Sequence, residues 1–423
     1  MNSLIKYQFS KLYAMSSGIS SKPEQAGHGA PFASFSTIFK NYFLPDTLSD
    51  KMDTSEKEQE TYSIIKGDIF LTRTSETLDE LGMSCIALND YPKATYSGFT
   101  KRLRPLQNDL TYARYMGFYL RSKFFRKTMT NNAIMTLRAS LNEDIFSYLN
   151  LYLPDYNTQK KSGDLLFMLN SKIEINNRIN KELESMAKTL YDYWFVQFDF
   201  PNENGKPYKT RGGKMVWNNE LKREIPDEWN VGTLSNIGSI IGGSTPSKKI
   251  SEYFINNGTA WITPRDLSMN FGNKFISKGE NDVSDKGIKS ASLKIIPKGT
   301  ILLSSRAPIG YMAISRGPVT TNQGFKSFVP NHGYSTTYVY YTVKNSLPTI
   351  VKYASGSTFK EISGSVLKTI LICLPPFPII EKYTKLVNPI FEKQNLIELE
   401  NQQLALLRDW LLPMLMNGQV KVE

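Results

Sequence analysis

Lys66-Gly67-Asp68-Ile69-Phe70-Leu71-Thr72-Arg73 returns later in the chain as Lys298-Gly299-Thr300-Ile301-Leu302-Leu303-Ser304-Ser305-Arg306. Each stretch is a Lys-Gly turn, then a short run of strand-forming residues, then small polar side chains ending in arginine. Other pairs follow in the same order. Ser97-Gly98-Phe99-Thr100 answers to Gln323-Gly324-Phe325-Lys326, Leu151-Tyr152-Leu153-Pro154 to Ile372-Cys373-Leu374-Pro375, and residues 183–194 to residues 399–410. The chain therefore holds two unequal copies of one plan, each a β-rich region followed by a long helix. Two similar but unequal readers on helical supports suit a ligand with two different parts a fixed distance apart.

The 423 residues suffice for two domains with real cores, and 40% hydrophobic with 21% charged residues is globular composition. Fifty-one basic against 39 acidic residues leave a net charge of +12, which favours a polyanionic partner, nucleic acid above all. Only Cys85 and Cys373 occur, with only His28 and His332. No disulfide framework or zinc spacing can be built from these, and a reducing cytoplasm is the expected home. No signal-type apolar segment opens the sequence, and Pro375, Pro376 and Pro378 interrupt the apolar stretch 369–380, so no membrane span is expected.

Residues 1–156 read as a first domain of short strands with a helix over 112–127. Over 157–200 the pattern changes: Leu166, Leu169, Ile173, Asn176, Asn180, Leu183, Ala187, Leu190 and Trp194 alternate three and four apart, the seam spacing of a coiled coil. Two seam asparagines fix register, because few alignments satisfy their amides. Residues 201–376 form a Gly/Pro-rich linker and a second domain, with a helix over 338–351. Residues 377–423 form a second long helix, which Pro389 kinks or begins. Its apolar residues fall on two stripes, one with Ile380, Tyr383 and Val387, the other with Leu396, Leu399, Leu406 and Trp410. Roughly 38 residues at about 1.5 Å each make a rod of about 57 Å. The expected fold is α+β: two tandem mixed α/β domains separated by two antiparallel coiled-coil-like helices in a pseudo-two-fold arrangement.

A search for catalytic signatures returns no Walker loop, no Gly-x-Gly-x-x-Gly, no His-Glu-x-x-His and no Gly-x-Ser-x-Gly. Leu374-Pro375-Pro376-Phe377 and Asn388-Pro389-Ile390-Phe391 approach the Asn-Pro-Pro-aromatic loop of amino-methyltransferases. The first lacks the amide that must accept the amine protons of a flipped base, and the second lacks the paired prolines. Binding segments are plainer. Thr263 and Arg265 follow the strand-like Trp261-Ile262, Ser305 and Arg306 end the second apolar run, and Asn322, Gln323 and Lys326 sit around Gly324. Lys360 closes the polar loop Ser355-Gly356-Ser357-Thr358-Phe359. In the first copy Ser36, Arg73, Lys101 and Arg102 stand at matching places. Arg forks to guanine O6/N7 and Asn or Gln to adenine N6/N7, whereas Ser, Thr and Lys more often hold phosphate. Taken singly each segment also reads as a solvated turn; their recurrence in both copies favours DNA contact.

The ordered series Ile-Thr-Pro-Arg-Asp-Leu (262–267), Leu-Leu-Ser-Ser-Arg-Ala-Pro-Ile-Gly (302–310), Thr-Asn-Gln-Gly-Phe-Lys (321–326), Leu-Pro-Pro (374–376) and the helix end at 407–418 resembles the specificity subunit of type I restriction-modification systems. The junction over 194–208 and Ile225-Pro226-Asp227-Glu228-Trp229 fit as well. The first copy departs more, with Tyr96-Ser97-Gly98 where Asn-Gln-Gly is expected. The resemblance implies two target-recognition domains reading a split sequence of double-stranded DNA, with the helices as a ruler and no catalysis in this chain. It implies modification subunits that bring S-adenosylmethionine, and restriction subunits that bring ATP and Mg-dependent cleavage. The outer stripe at Leu406 and Trp410, and a face around Tyr191 and Phe195, would dock the modification subunits. The alternative is a coiled-coil protein-interaction scaffold without DNA specificity.

Overall fold

In the computed structural model of the chain, Gly67 and Gly299 occupy the same turn of two copies of one sheet. Both have positive φ, 92° and 82°, which a side chain would strain. Gly67 N donates to Ala87 O, and Gly299 N to Ser315 O. The structure describes residues 4–20, 22–75, 81–132, 134–135, 139–140, 149–306, 308–331, 333–354 and 360–422. The polar loop expected at Ser355–Phe359 lies outside the described residues. The chain divides into two compact units, Met1–Ile175 with Gln402–Glu423, and Asn176–Asn401. The division falls inside both long helices, so each unit contains a part of each helix.

In the first unit an antiparallel sheet runs in the order Tyr13–Ser17, Thr100–Pro105, Ile69–Thr72, Ser84–Ile86. A smaller sheet joins Lys51–Met52, Ala26–Ala33 and Thr95–Tyr96, the last pair parallel. Asn150–Leu153 returns to pair with Ile5–Gln8. The helix expected over 112–127 is two, Ala113–Tyr119 and Lys123–Asn132. Ser122 explains the break: its hydroxyl donates to Tyr119 O at 2.6 Å and accepts from Phe125 N at 3.3 Å, closing one helix and capping the next. Tyr115, Phe118 and Phe125 cover Ile69, Leu71 and Leu103 of the sheet, with Leu166, Leu415 and Met416 of the long helices completing the core.

The second unit repeats this plan with added strands. Its sheet runs Gly238–Gly242, Lys326–Pro330, Ile301–Leu303, Met312–Ser315, with Phe275–Ile276 added in parallel. Its second sheet, Phe254–Ile255, Asn281–Val283, Thr259–Ile262, Thr320–Thr321, again ends in a parallel pair. Leu371–Leu374 pairs with Asn230–Thr233. The helix Thr336–Lys352 lays Tyr338, Val339 and Tyr341 on the sheet and against Tyr191, Trp194, Phe195, Tyr383 and Phe391.

The long helices are Tyr156–Tyr191, which closes in a π-turn at Asp192–Val196, and Phe377–Met416. Asp155 caps the first through Thr158 N at 3.0 Å. The second neither starts nor stops at Pro389. Pro389 is solvent-facing, where water can serve the freed carbonyl, while the buried Val387 and Phe391 hold both sides. The helices pair antiparallel in both units. In the first, Arg408 NH1 donates to Asn170 Oδ1; in the second, Asn176 Nδ2 donates to Glu400 Oε2 at 2.8 Å and Asn401 Oδ1 at 2.9 Å. Asn180 also lies on the seam, its carbonyl accepting from Gln394 Nε2.

Within the second unit a polar cluster seats the sheet on the helices. Lys274 Nζ lies 2.6 Å from Glu184 Oε2, donates to Gln394 Oε1 and sits 3.6 Å over the Phe391 ring. Lys344 meets the other Glu184 oxygen at 2.7 Å, and Arg316 meets Glu398 at 2.7 Å. Burial drives the Lys274 ammonium down to about 8 against the pull of Glu184. Burial raises the Glu184 carboxyl too, but Lys274 and Lys344 outweigh it and hold it at about 2. No helix among the described residues is long and apolar enough to cross a membrane.

Candidate nucleic-acid interface

In the second unit the sequence segments singled out for binding converge on one edge. The parallel pairing of Trp261-Ile262 with Thr320-Thr321 puts Asn322 beside Thr263, and Asn322 N donates to Ile262 O at 3.1 Å. Thr263 starts the short helix Pro264–Met269, its hydroxyl and amide both bonded to the Asp266 carboxylate. Its hydroxyl therefore shapes the turn, and Arg265, two residues on, is the exposed group, 3.5 Å from Glu280. Asn322 folds back so that its Oδ1 accepts from Gly324 N at 2.9 Å. Gly324 O in turn accepts from Ser305 N at 2.7 Å, joining the Asn-Gln-Gly turn to the Ser-Ser-Arg run. Gln323 is exposed, its Oε1 accepting from Thr245 Oγ1.

Ser305 is a correction: its side chain is fully buried, and its hydroxyl has no hydrogen-bond partner among the described residues. It cannot reach a base without the strand end moving. Arg306, the next residue, is half-exposed and pairs through backbone and side chain with Glu361, Nε lying 3.0 Å from Oε2. Lys326 Nζ is 3.9 Å from the other Glu361 oxygen. Burial lowers the Lys326 ammonium, with Glu361 opposing and Arg306 adding to the effect. Lys360 is exposed beside this group. Sequence reasoning missed Glu361, Thr245 and the exposed Lys248 and Lys249 that follow Thr245. The run Ser244-Thr245-Pro246-Ser247-Lys248-Lys249 directly after a strand was the available signal.

The first unit builds the same edge with other side chains. Phe32-Ala33 pairs in parallel with Thr95-Tyr96, Ser97 N donates to Ala33 O, and Ser34 caps the helix Phe35–Lys40 that carries the exposed Ser36. Ser97 Oγ accepts from Phe99 N, and Arg73 N donates to Phe99 O at 2.9 Å. These bonds set the register between copies. Ser97-Gly98-Phe99-Thr100 stands where Asn322-Gln323-Gly324-Phe325 stands, one residue earlier than the sequence alignment places it. Arg73 likewise matches Ser305, not Arg306. Two glycines confirm the register. A Cβ on Gly18 would come 2.3 Å from Ser97 O, and one on Gly243 2.1 Å from Asn322 O.

Lys101 and Arg102 are further corrections. Both are buried in the sheet strand Thr100–Pro105, Lys101 Nζ donating to Ser17 Oγ and Arg102 NH1 to Ser63 O, with the guanidinium over the Tyr96 ring. Sequence shows two cations after a turn but not which way a strand turns them. The exposed groups here are Ser36, Arg73 and Phe99, the last 63% exposed.

Of the residues assigned to partners, Leu406 and Trp410 are 72% and 64% exposed on the second long helix, with Leu396 exposed on the same helix. Tyr191 and Phe195 are corrected: both are buried in the second unit's core, Tyr191 bonding Thr342 and Phe195 packing on Tyr338 and Tyr383. Their aromatic face meets the chain's own sheet and helix. Among the described residues no group of three or more His, Cys, Asp or Glu side chains could hold a metal ion.

The family described as type I restriction modification DNA specificity domain matches residues 19–185 and 226–407. The type I restriction enzyme MjaIX specificity subunit of Methanocaldococcus jannaschii is 41% identical over 218 residues, 50% of this chain and 49% of that subunit. The HindI specificity subunit of Haemophilus influenzae is 30% identical over 328 residues, 66% of this chain and 70% of that one. The first match thus spans about half the length of its relative. The crystal structure of a type I restriction-modification system S subunit from M. genitalium shares the fold, with a TM-score of 0.61 at 14% identity over 98% of this chain and 96% of that one.

Proposed function

This chain belongs to the family of type I restriction-modification DNA specificity domains, and from that premise we propose that it selects the bipartite DNA sequence at which a methyltransferase and endonuclease complex acts. The observation that carries the reading is the repeated edge. Both units build the same loop-to-strand hydrogen bonds, Ser97 to Ala33 and Asn322 to Ile262, and then present different side chains on them. A shared frame with unshared side chains is what reading two different half-sites requires. The net charge of +12 supplies the sequence-independent attraction to phosphate that such a reader needs.

On this reading Arg306, Gln323 and Arg73 meet base edges, and Arg265, Lys326, Lys360 and Ser36 meet phosphate or flanking bases. Modification subunits dock at Leu406 and Trp410 and bring S-adenosylmethionine; restriction subunits bring ATP and Mg; the chain itself catalyses nothing. The complex works on DNA in the cytoplasm. Mapping methylated adenines in the source genome with and without this chain tests the proposal. One bipartite motif should lose methylation when the chain is deleted. An unchanged methylation map in cells whose modification subunits are active would overturn it.

A further inference from the structure

Glu361 is an acidic group in the middle of a basic reading edge. Its backbone is fixed: Ile362 N donates to Ser305 O at 2.9 Å, Ile362 is buried in the core, and Arg306 and Glu361 face each other as an antiparallel bridge. Ser363 then caps the helix Gly364–Thr369. The carboxylate stands between two cations that come from different strand ends, Arg306 Nε at 3.0 Å and Lys326 Nζ at 3.9 Å. Side-chain exposures of 47% for Arg306, 37% for Glu361 and 18% for Lys326 place Arg306 outermost and Lys326 innermost.

Resting on the proposed DNA-reading role, we infer that Glu361 is a positioning residue for specificity: it orients Arg306 and suppresses indiscriminate attraction to phosphate. The nearest approach of the carboxylate is to Nε, not to the two terminal nitrogens whose fork matches guanine O6 and N7. A guanidinium paired at Nε is biased toward that carboxylate and away from a phosphate. The same carboxylate offsets the charge of Lys326 and itself repels phosphate. The trio carries one net positive charge instead of two, so non-specific DNA gains less from it than a matched base does. An acidic side chain here lowers raw affinity and raises discrimination, which is the purpose of a repulsive element.

The test uses the full chain assembled with its modification subunits and a library of duplexes with randomised sequence, the bound fraction being sequenced. Wild type should enrich one bipartite motif. Glu361→Gln keeps the shape and removes the charge. It should leave one half-site intact and lose information at one or two positions of the other. Its affinity for unselected duplex should rise several-fold, with the slope of log K against log salt steepening by about 0.9, one phosphate's worth. In an Arg306→Gln background, Glu361→Gln should cause no further loss of information. A merely structural role would lower affinity for all duplexes and would not steepen the salt slope, so that pattern overturns the inference. An unchanged motif and unchanged affinity also overturn it, while leaving the DNA-reading role in place. Wild type enriching no motif refutes the DNA-reading role itself.

Discussion

Glu184→Gln removes the carboxylate that serves both Lys274 and Lys344. The Lys274 side chain is only 5% exposed and Glu184 29% exposed, so the pair is largely shielded from solvent and salt. Glu184 has its carboxyl held at about 2 against an ordinary 4.5. A depressed carboxyl contributes stability that is complete above about 4.5 and lost as pH falls toward 2. That interval is worth about 3 kcal/mol. Removing one partner of a buried pair costs a comparable amount, about 3–5 kcal/mol, because the remaining ammonium stays buried. Gln394 and Tyr341 still hold Lys274, which favours the lower end. Tryptophan fluorescence in urea reads this directly, since Trp194, Trp217, Trp229 and Trp261 all lie in the second unit. The variant should lose about 3 kcal/mol at pH 7, and the gap from wild type should narrow as pH drops from 4.5 toward 2. Glu184→Gln with Lys274→Met should recover most of the loss. A loss under about 1 kcal/mol, or one as large at pH 3 as at pH 7, would refute the reasoning.

Gly18→Ala and Gly243→Ala each push a Cβ into the carbonyl of the loop they support, so each should blur the half-site read by its own unit, as sequencing of bound randomised duplexes would record. Asp68 accepts both Arg104 contacts, at 2.8 and 2.7 Å, and is fully buried. Asp68→Ala should cost the first unit about 3–5 kcal/mol in thermal or chemical unfolding. Trp410→Ala should leave unfolding within about 0.5 kcal/mol of wild type, since the ring is exposed, yet reduce co-purification with modification subunits. Phe99→Ala should be equally neutral for stability while weakening DNA binding by the full complex in a gel shift.

The duplication, the seam and both long helices were legible because each is written in a period: apolar residues three and four apart, and matched turn-strand-turn segments. Of the seam asparagines, Asn176 bonds across through its amide to Glu400 and Asn401, whereas Asn180 does so only through its backbone carbonyl. What escaped was direction. Lys101 and Arg102 alternate along a strand whose two faces are both covered, so neither reaches solvent, and Tyr191 and Phe195 face the chain's own sheet. The one-residue slip at Ser97 arose because two Gly-Phe pairs were matched, Gly98-Phe99 and Gly324-Phe325. Matching backbone hydrogen bonds, Ser97 N to Ala33 O and Asn322 N to Ile262 O, make Ser97 the counterpart of Asn322 instead. Glu361 was passed over because an acid in a basic context looks like ordinary surface until Arg306 and Lys326 are seen on either side of it.

The division of labour between the two copies is tested most directly by exchanging residues 226–376 for the corresponding domain of another family member and sequencing the adenine-methylation motif that results in cells. One half of the motif should change to that of the donor, while the other half persists. A motif that keeps both halves after the exchange would contradict the account.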